Sequence, residues 1–154
     1  MEEFKVVIPK ESFSILDFNQ DELPGVAVIN TALRDFEPKE VFAWHLSLMI
    51  DFEDLIDNGM PSKTEREIVD PFGDKLDLLI KGDDLNRPNA LFLARIAWNK
   101  TRELIWRVFD PNIVDKTLKE IIDSGDYPRQ FEYKMEHDEN WDLTKWHLKI
   151  YKRK

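Results

Sequence analysis

The feature that most constrains the fold is the recurrence of a large apolar side chain at every second position across residues 41–52. The positions between the apolar ones hold His45, Ser47, Met49 and Asp51. A period of two over such a length predicts a β-strand with one face in the core and the other at least partly solvated. The apolar set is Phe42, Trp44, Leu46, Leu48, Ile50 and Phe52.

Three shorter strands are predicted ahead of this one, over residues 4–8, 12–18 and 26–33. The first alternates, and the third is rich in β-branched residues, which favour pleated structure. Pro24-Gly25 is typical of a turn between the second and the third. The first 40 residues are therefore expected to add strands to a central unit.

A helix is predicted over residues 62–81. Ser62 and Glu65 have capping-box spacing, and Gly82 follows the last apolar position. Pro71 lies inside the pattern and is expected to kink or restart the helix. The predicted buried stripe is Ile68, Phe72, Leu76, Leu79 and Ile80.

Residues 90–98 and 102–109 are predicted to form a β-hairpin. The apolar residues of both strands stand at even positions, and residues paired across an antiparallel ladder share a face. The connecting loop must then be odd in length, which favours the three residues Asn99, Lys100 and Thr101. Trp106 is expected to pack beneath the helices with Phe92, Ile96 and Leu104.

Asp110-Pro111 predicts the start of a second helix, which Gly125 ends. Its expected apolar stripe is Val114, Leu118, Ile121 and Ile122. Residues 131–135 alternate as another strand, and Trp146, Leu148 and Ile150 fit either a last strand or a helix.

The order of elements over residues 41–136 is β-α-β-β-α-β, which predicts an α+β, ferredoxin-like antiparallel sheet with two helices on one face. Residues 1–40 then supply N-terminal strands, and residues 137–154 a C-terminal extension. The length of 154 residues suits this single-domain organisation. In ferredoxin-like order, the first and third strands of the unit are central and adjacent.

Composition excludes several classes of function. No cysteine is present, which excludes disulfides and thiol chemistry and fits a cytoplasmic protein. Residues 1–60 hold 13 acidic and 4 basic side chains, so this part accounts for the whole net charge of −9. Direct binding to nucleic acid requires a basic surface and is not expected. No apolar run approaches the ~20 residues that cross a bilayer.

The candidate chemical groups do not form a recognisable catalytic motif. His45, His137 and His147 lie on separate segments, so neither a metal site nor a cofactor is predicted. Four acids, Asp51, Glu53, Asp54 and Asp57, crowd the end of the long strand. Leu55 interrupts the ligand spacing of a calcium loop, so these acids are interpreted as a solvated loop or as the contact for a basic protein partner.

The sheet face turned away from the helices is the main candidate for a binding surface. The residues predicted to point outward there include His45, Ser47, Arg95, Glu103 and Arg107, beside apolar positions of the hairpin. Such a mixture is typical of a binding or self-association face. The alternative is that the N-terminal strands or the last segment fold over it.

Three sequence patterns carry a resemblance to a known family. They are the strand Val-Ala-Val-Ile-Asn at residues 26–30, the strand Trp-His-Leu-Ser-Leu at residues 44–48, and the hairpin end Trp-Arg-Val-Phe-Asp at residues 106–110. With Asp-Glu-Asn-Trp at residues 138–141, they resemble the bacterial family catalogued as domain of unknown function 695. The resemblance implies a fold similar to the ribonuclease E inhibitor B group, which regulates RNA turnover. It implies no catalytic residue.

Two functions follow as expectations. The first is a non-enzymatic protein-binding or regulatory module, with another protein as partner and homo-oligomerisation as a possibility. The alternative is a small-molecule-binding or catalytic domain that uses the open sheet face, for which His45 and Arg107 would have to converge on a pocket.

Overall fold

A computed structural model describes residues 6–149, and these form one six-stranded antiparallel sheet with three α-helices. Along the sheet the strand order is β1-β2-β4-β5-β3-β6. The strands are β1 (Phe13–Gln20), β2 (Leu23–Asn30), β3 (Trp44–Asp51), β4 (Ala90–Trp98), β5 (Thr101–Val108) and β6 (Phe131–His137), and the helices are α1 (Lys63–Lys81), α2 (Pro111–Ser124) and α3 (Lys145–Lys149).

The long alternating strand has the predicted polarity. Leu46, Leu48 and Ile50 of β3 are fully buried against α1 and α2. His45 and Ser47 face the other way, and β3 lies next to β5, as the element order predicted. Phe42 does not extend the stripe, because residues Lys39–Phe42 form a 3₁₀ turn that places its ring on the opposite side of the sheet.

The hairpin prediction is wrong in its loop and in half of its register. Asn99 and Lys100 alone connect the strands, and both have positive φ, as a tight two-residue turn requires. A β-bulge between Phe92 and Ala94 restores the pairing further along. Trp106 therefore packs under the helices with Phe92 and Leu104, but Ile96 lies on the other face.

Both long helices begin as predicted, but their buried stripes differ from the predicted ones. The Ser62 hydroxyl accepts a hydrogen bond from the Glu65 amide at the start of α1 (3.0 Å). Ile68 and Leu79 are largely exposed, and the buried stripe of α1 consists of Glu65, Val69, Phe72, Leu76 and Ile80. In α2, Asp110 caps the first turn, and Val114 and Leu118 are buried whereas Ile122 is exposed.

The N-terminal strands widen the sheet beyond the helices. β2 pairs with β4, so β4 is an internal strand that lies between β2 and β5. β2 ends at Asn30, where residues Thr31–Leu33 turn into a 3₁₀ helix. Within the predicted strand 4–8, residues 6–8 are not β-structure, and residues 4 and 5 lie outside the described residues.

The second face of the sheet is covered by the C-terminal segment. α3, together with Trp141, packs on Ile29, Leu93 and Ile105 to form a second core. The helical alternative for residues 146–148 is therefore correct, and the strand alternative is wrong, while Ile150 lies outside the described residues. The predicted open face is a buried layer over most of its area.

Candidate functional site

The structure separates the predicted binding residues into three places. His45, Ser47, Glu103 and Arg107 share the face beneath the C-terminal segment. Arg95 was expected beside them, but the bulge in β4 turns it to the helix side, where its cross-strand partner is Leu104. The acids Asp51, Glu53, Asp54 and Asp57, called here the acidic loop, are exposed after β3.

Arg107 is the centre of a cluster of buried contacts, called here the clamp, whose other members are Phe42, His45, Asp138 and Trp141. Its side chain is fully buried, and its guanidinium binds the Asp138 carboxylate (Nη1 to Oδ2, 3.0 Å) and the Asp138 carbonyl. Nε donates to the Phe42 carbonyl (3.3 Å), and Nη1 lies 3.3 Å from His45 Nδ1. All three guanidinium nitrogens are therefore occupied by the protein itself, which leaves none for a ligand.

Trp141 closes the clamp from above. The Arg107 guanidinium lies 4.8 Å from the centre of the indole ring, a cation–π distance. The indole N–H donates to the carbonyls of Lys39 (2.9 Å) and Phe42 (3.0 Å), and Phe36 stacks on the ring. This packing ties the turn of residues 39–42 to the C-terminal segment, which explains why the two segments cover the face together.

His45 is held as a neutral group. Burial, and then the nearby Arg107 charge, lower its pKa to about 4. His147 lies close by, and burial lowers its pKa to about 4 as well. His45 and Arg107, which the catalytic alternative required to converge on a pocket, do lie together, but both are buried within the clamp.

The acidic loop is anchored by a residue that sequence reasoning placed elsewhere. Glu65 does not complete the capping box with Ser62; its carboxylate accepts the backbone N–H groups of Glu53 (2.8 Å) and Asp54 (3.2 Å). Arg129 binds the same carboxylate at both oxygens (2.7 and 2.8 Å). These hydrogen bonds, led by that from Arg129, lower the pKa of Glu65 to about 2.

On the helix side, the widened sheet leaves a groove of about 430 Å³ between the β1-β2 hairpin and α1. Three arginines meet in it with a single acid, and this set is called here the arginine groove. Its charged lining is Arg66, Arg95, Arg102 and Asp70, and its apolar lining is Ile15, Val26, Val28, Ile56, Met60, Pro61 and Ala97.

The cross-strand register sets the floor of the groove. Ile15 pairs with Val28, which in turn pairs with Arg95. In the neighbouring row, Val26 pairs with Ala97, which pairs with Arg102. Aliphatic residues of β1 and β2 therefore lie in the same cross-strand rows as the two arginines.

The arginines of the groove are short of partners. Arg102 is 5% exposed and binds Asp70 (Nη1 to Oδ1, 2.6 Å), but its buried Nε has no partner among residues 6–149. Burial, with the charges of Arg95 and Arg66, lowers the pKa of Arg102. Neither Arg66 nor Arg95 forms an ion pair within the part of the chain that the structure describes.

Sequence reasoning missed Arg66, Asp70 and Arg102. A signal for Arg102 was present, because it stands at an even position in line with Leu104 and Trp106, on the face predicted to be core. A charged residue in such a row needs a partner or a ligand. Arg66 and Asp70 on α1 carried no comparable signal.

A continuation of the groove carries the opposite charge. It has a volume of about 360 Å³, shares Arg95 and Arg102 with the arginine groove, and adds Glu11, Asp74 and Asp77 to the lining. Glu11 and Asp77 are both paired with Lys81 (2.8 and 3.0 Å). The uncompensated positive charge therefore lies at the end near Arg66.

Within the described residues, no group of three or more histidine, cysteine or acidic side chains is arranged to hold a metal ion. In the same range, none of the helices has the length and apolar character needed to cross a membrane.

Comparison with known proteins identifies a family and nothing finer. The model of a family of unknown function, DUF695, matches residues 17–146, and the chain belongs to that family. No curated protein and no solved structure matches the chain. The matched range includes β2 to β6, the clamp, and every residue of the arginine groove except Ile15.

Proposed function

We propose that this member of a family without an assigned activity is a non-enzymatic binding module that holds a segment of a partner protein in the arginine groove. The observation that carries the proposal is that Arg66, Arg95 and Arg102 line one groove whose lining holds a single acid, Asp70, which is paired with Arg102. In a chain with a net charge of −9, a local surplus of arginine beside an apolar floor favours an anionic ligand.

The shape of the groove supports an extended protein segment as the occupant. The outer floor of the groove is formed by β1, an edge strand. Ile15 on this strand is 71% exposed, and Ile56 on the opposite wall is 60% exposed. Aliphatic side chains of a partner segment would cover them, while its acidic side chains would meet the arginines in bidentate geometry.

The acidic loop gives the same partner a second contact. Ile56 belongs both to the wall of the groove and to the stretch that contains Asp54 and Asp57. The expected basic partner is therefore proposed here as a segment with an acidic, aliphatic anchor followed by basic residues. The anchor would provide affinity, and the basic residues would speed association.

Synthetic peptides test the proposal without knowledge of the natural partner. A peptide that alternates valine with glutamate is expected to bind and to shift the NMR signals of Arg66 and Arg95, whereas a valine–lysine peptide is not. The double variant Arg66→Ala/Arg95→Ala is expected to weaken binding at least ten-fold. Arg87→Ala, at an exposed arginine that does not line the groove, is the matched control.

Three outcomes would contradict the proposal. They are equal binding of the two peptides, unchanged binding by the double variant, and burial of the groove in a homodimer, which sedimentation would detect. The third outcome would assign the groove to self-association.

Finer features belong to the same proposal. The order β4-β5-β3-β6, with α1 and α2 on one face, supports a ferredoxin-like unit to which β1 and β2 are added. A regulatory role rests on fold-level analogy with the ribonuclease E inhibitor B group alone. A cytoplasmic location is supported by the absence of cysteine.

A further inference from the structure

The C-terminal helix leaves one part of the second sheet face uncovered. A cavity of about 300 Å³ lies there, on the other side of the sheet from the arginine groove. Phe18, Trp98 and Trp146 line it together with Met49, Glu103 and His147. Three aromatic rings and one carboxylate thus face the same small volume, called here the aromatic cavity.

The strands fix two of the three rings. Phe18 pairs across the ladder with Gly25, which pairs with Trp98. A Cβ atom at position 25 would overlap the Phe18 ring, so the glycine allows that ring to lie flat across β2 towards Trp98. The indole N–H of Trp98 donates to the Gln20 carbonyl (3.1 Å), which holds the second ring in place.

Trp146 of α3 supplies the outer wall. Its ring meets Phe18 edge to face with centroids 5.9 Å apart, and 45% of the residue is exposed. The cavity is therefore open to solvent beside Trp146, in the first turn of α3.

Glu103 provides a carboxylate that has no ion-pair partner within the described residues. Its carboxylate accepts a hydrogen bond from the Ser47 hydroxyl (2.5 Å), but it forms no ion pair with any residue between 6 and 149. Lys134, which pairs with Ser47 across the sheet, is directed to Glu136 instead (3.9 Å). His147 is neutral at pH 7, because burial lowers its pKa to about 4.

We infer that the aromatic cavity binds an alkylammonium group, such as a methylated amine. Aromatic faces attract a cation that carries methyl groups, and Glu103 supplies the opposite charge at the floor. The inference goes beyond the proposed function, since the site, the ligand charge and the sheet face all differ from those of the arginine groove. The group could belong to a free small molecule or to a methylated lysine of a protein.

Choline and its neutral carbon isostere, 3,3-dimethyl-1-butanol, form a matched pair of probes for the intact chain. Choline is expected to shift the indole NMR signals of Trp98 and Trp146 saturably, and the isostere is expected to bind at least ten-fold more weakly. Glu103→Gln is expected to weaken choline binding at least ten-fold. Glu120→Gln, at an exposed acid on α2, is the control and should bind as wild type does.

A peptide containing trimethyl-lysine separates the two sources of the ligand. Tighter binding of this peptide than of choline assigns the site to a modified protein, and the reverse ranking assigns it to a small molecule; both rankings support the inference. Equal binding of choline and the isostere, or unchanged choline binding by Glu103→Gln, would overturn it. Both variants should retain the wild-type denaturation midpoint, which separates loss of the site from loss of the fold.

Discussion

Arg107 and Arg102 both belong to β5 but face opposite sides of the sheet. Both are buried, with exposures of 0% and 5%. Arg107 is bound at every guanidinium nitrogen by the backbone, Asp138 and His45. Arg102 has one carboxylate partner, and its Nε has none in the described chain. Similar burial therefore accompanies very different degrees of pairing.

This difference distinguishes a structural charge from one available to a ligand. A buried charge is tolerated when its hydrogen-bonding groups are satisfied, and the clamp around Arg107 meets that condition within the chain. The partner of Arg102, Asp70, has a side chain that is 39% exposed, and the surrounding charges of Arg66 and Arg95 are repulsive. An anionic ligand would give Arg102, on the helix side of the sheet, the pairing that Asp138 gives Arg107 on the other side.

The largest expected effect comes from removing the carboxylate of the clamp. Asp138→Ala should lower the free energy of unfolding by about 3–5 kcal/mol, because it leaves the Arg107 charge buried without its partner. The same carboxylate also accepts the N–H groups of Asp142 (3.0 Å) and Leu143 (2.8 Å). Urea denaturation measures the loss, and the exposed neighbour variant Glu139→Ala should stay near wild type. Equal losses of unfolding free energy in the two variants would contradict a structural role for the Asp138 carboxylate.

A slightly smaller effect is expected from pH. The pKa of His45 is about 4 in the folded protein and 6.5 ordinarily, so the unfolded chain gains a proton first as the pH falls. The stability that depends on neutral His45 is present above pH 6.5 and is lost as the pH falls towards 4. This difference between the two pKa values corresponds to about 3 kcal/mol in the free energy of unfolding. His45→Asn should therefore make the stability profile less steep between pH 6.5 and 4, where His147, whose pKa is also lowered to about 4, still contributes; a profile parallel to wild type would contradict this.

The smallest expected effect belongs to the groove. Arg66 is exposed on α1 and forms no ion pair with residues 6–149, so Arg66→Ala should change the free energy of unfolding by less than about 0.5 kcal/mol. Thermal unfolding compared with wild type measures this. A loss of unfolding free energy above about 1 kcal/mol would show that Arg66 stabilises the fold and is not available to bind a ligand.

Hydrophobic periodicity predicted most of the elements on the helix side. The alternation in β3, the helix caps at Ser62 and Asp110, and the glycine that follows each long helix are local signals, and each appears where it was expected. Such features depend on residues close in sequence, so a single chain reveals them.

Which hairpin residues face the helices depends on the β-bulge at Phe92–Ala94, and hydrophobic periodicity does not reveal this bulge. Residues 90–94 are apolar at every position, so the bulge at Phe92–Ala94 left no break in the pattern. The side chain of Asn30 supports that bulge from β2 by donating to the Phe92 carbonyl (3.0 Å), a contact across 62 residues. The bulge moved Arg95 from the predicted surface into the groove, and no local rule contains that information.

The sequence also left open which segment covers the second face of the sheet, and for a similar reason. Trp146, Leu148 and Ile150 fit a strand as well as a helix by their spacing. What decides the packing of Trp146 and Leu148 is the buried Arg107, whose partner Asp138 lies 31 residues away and directs the chain back over the sheet. A long-range ion pair of this kind is set by tertiary structure, so the sequence could only state the alternatives.

The most direct test of the account is a paired measurement of unfolding free energy for Arg107→Met and Arg102→Met. Arg107→Met should lose about 3–5 kcal/mol, because Asp138, whose side chain is 9% exposed, is left buried and unpaired. Arg102→Met should lose less than about 1 kcal/mol or gain stability, because an apolar side chain replaces an incompletely paired charge and Asp70 reaches solvent. Equal losses, or a greater loss for Arg102→Met, would contradict the assignment of one arginine to structure and the other to binding.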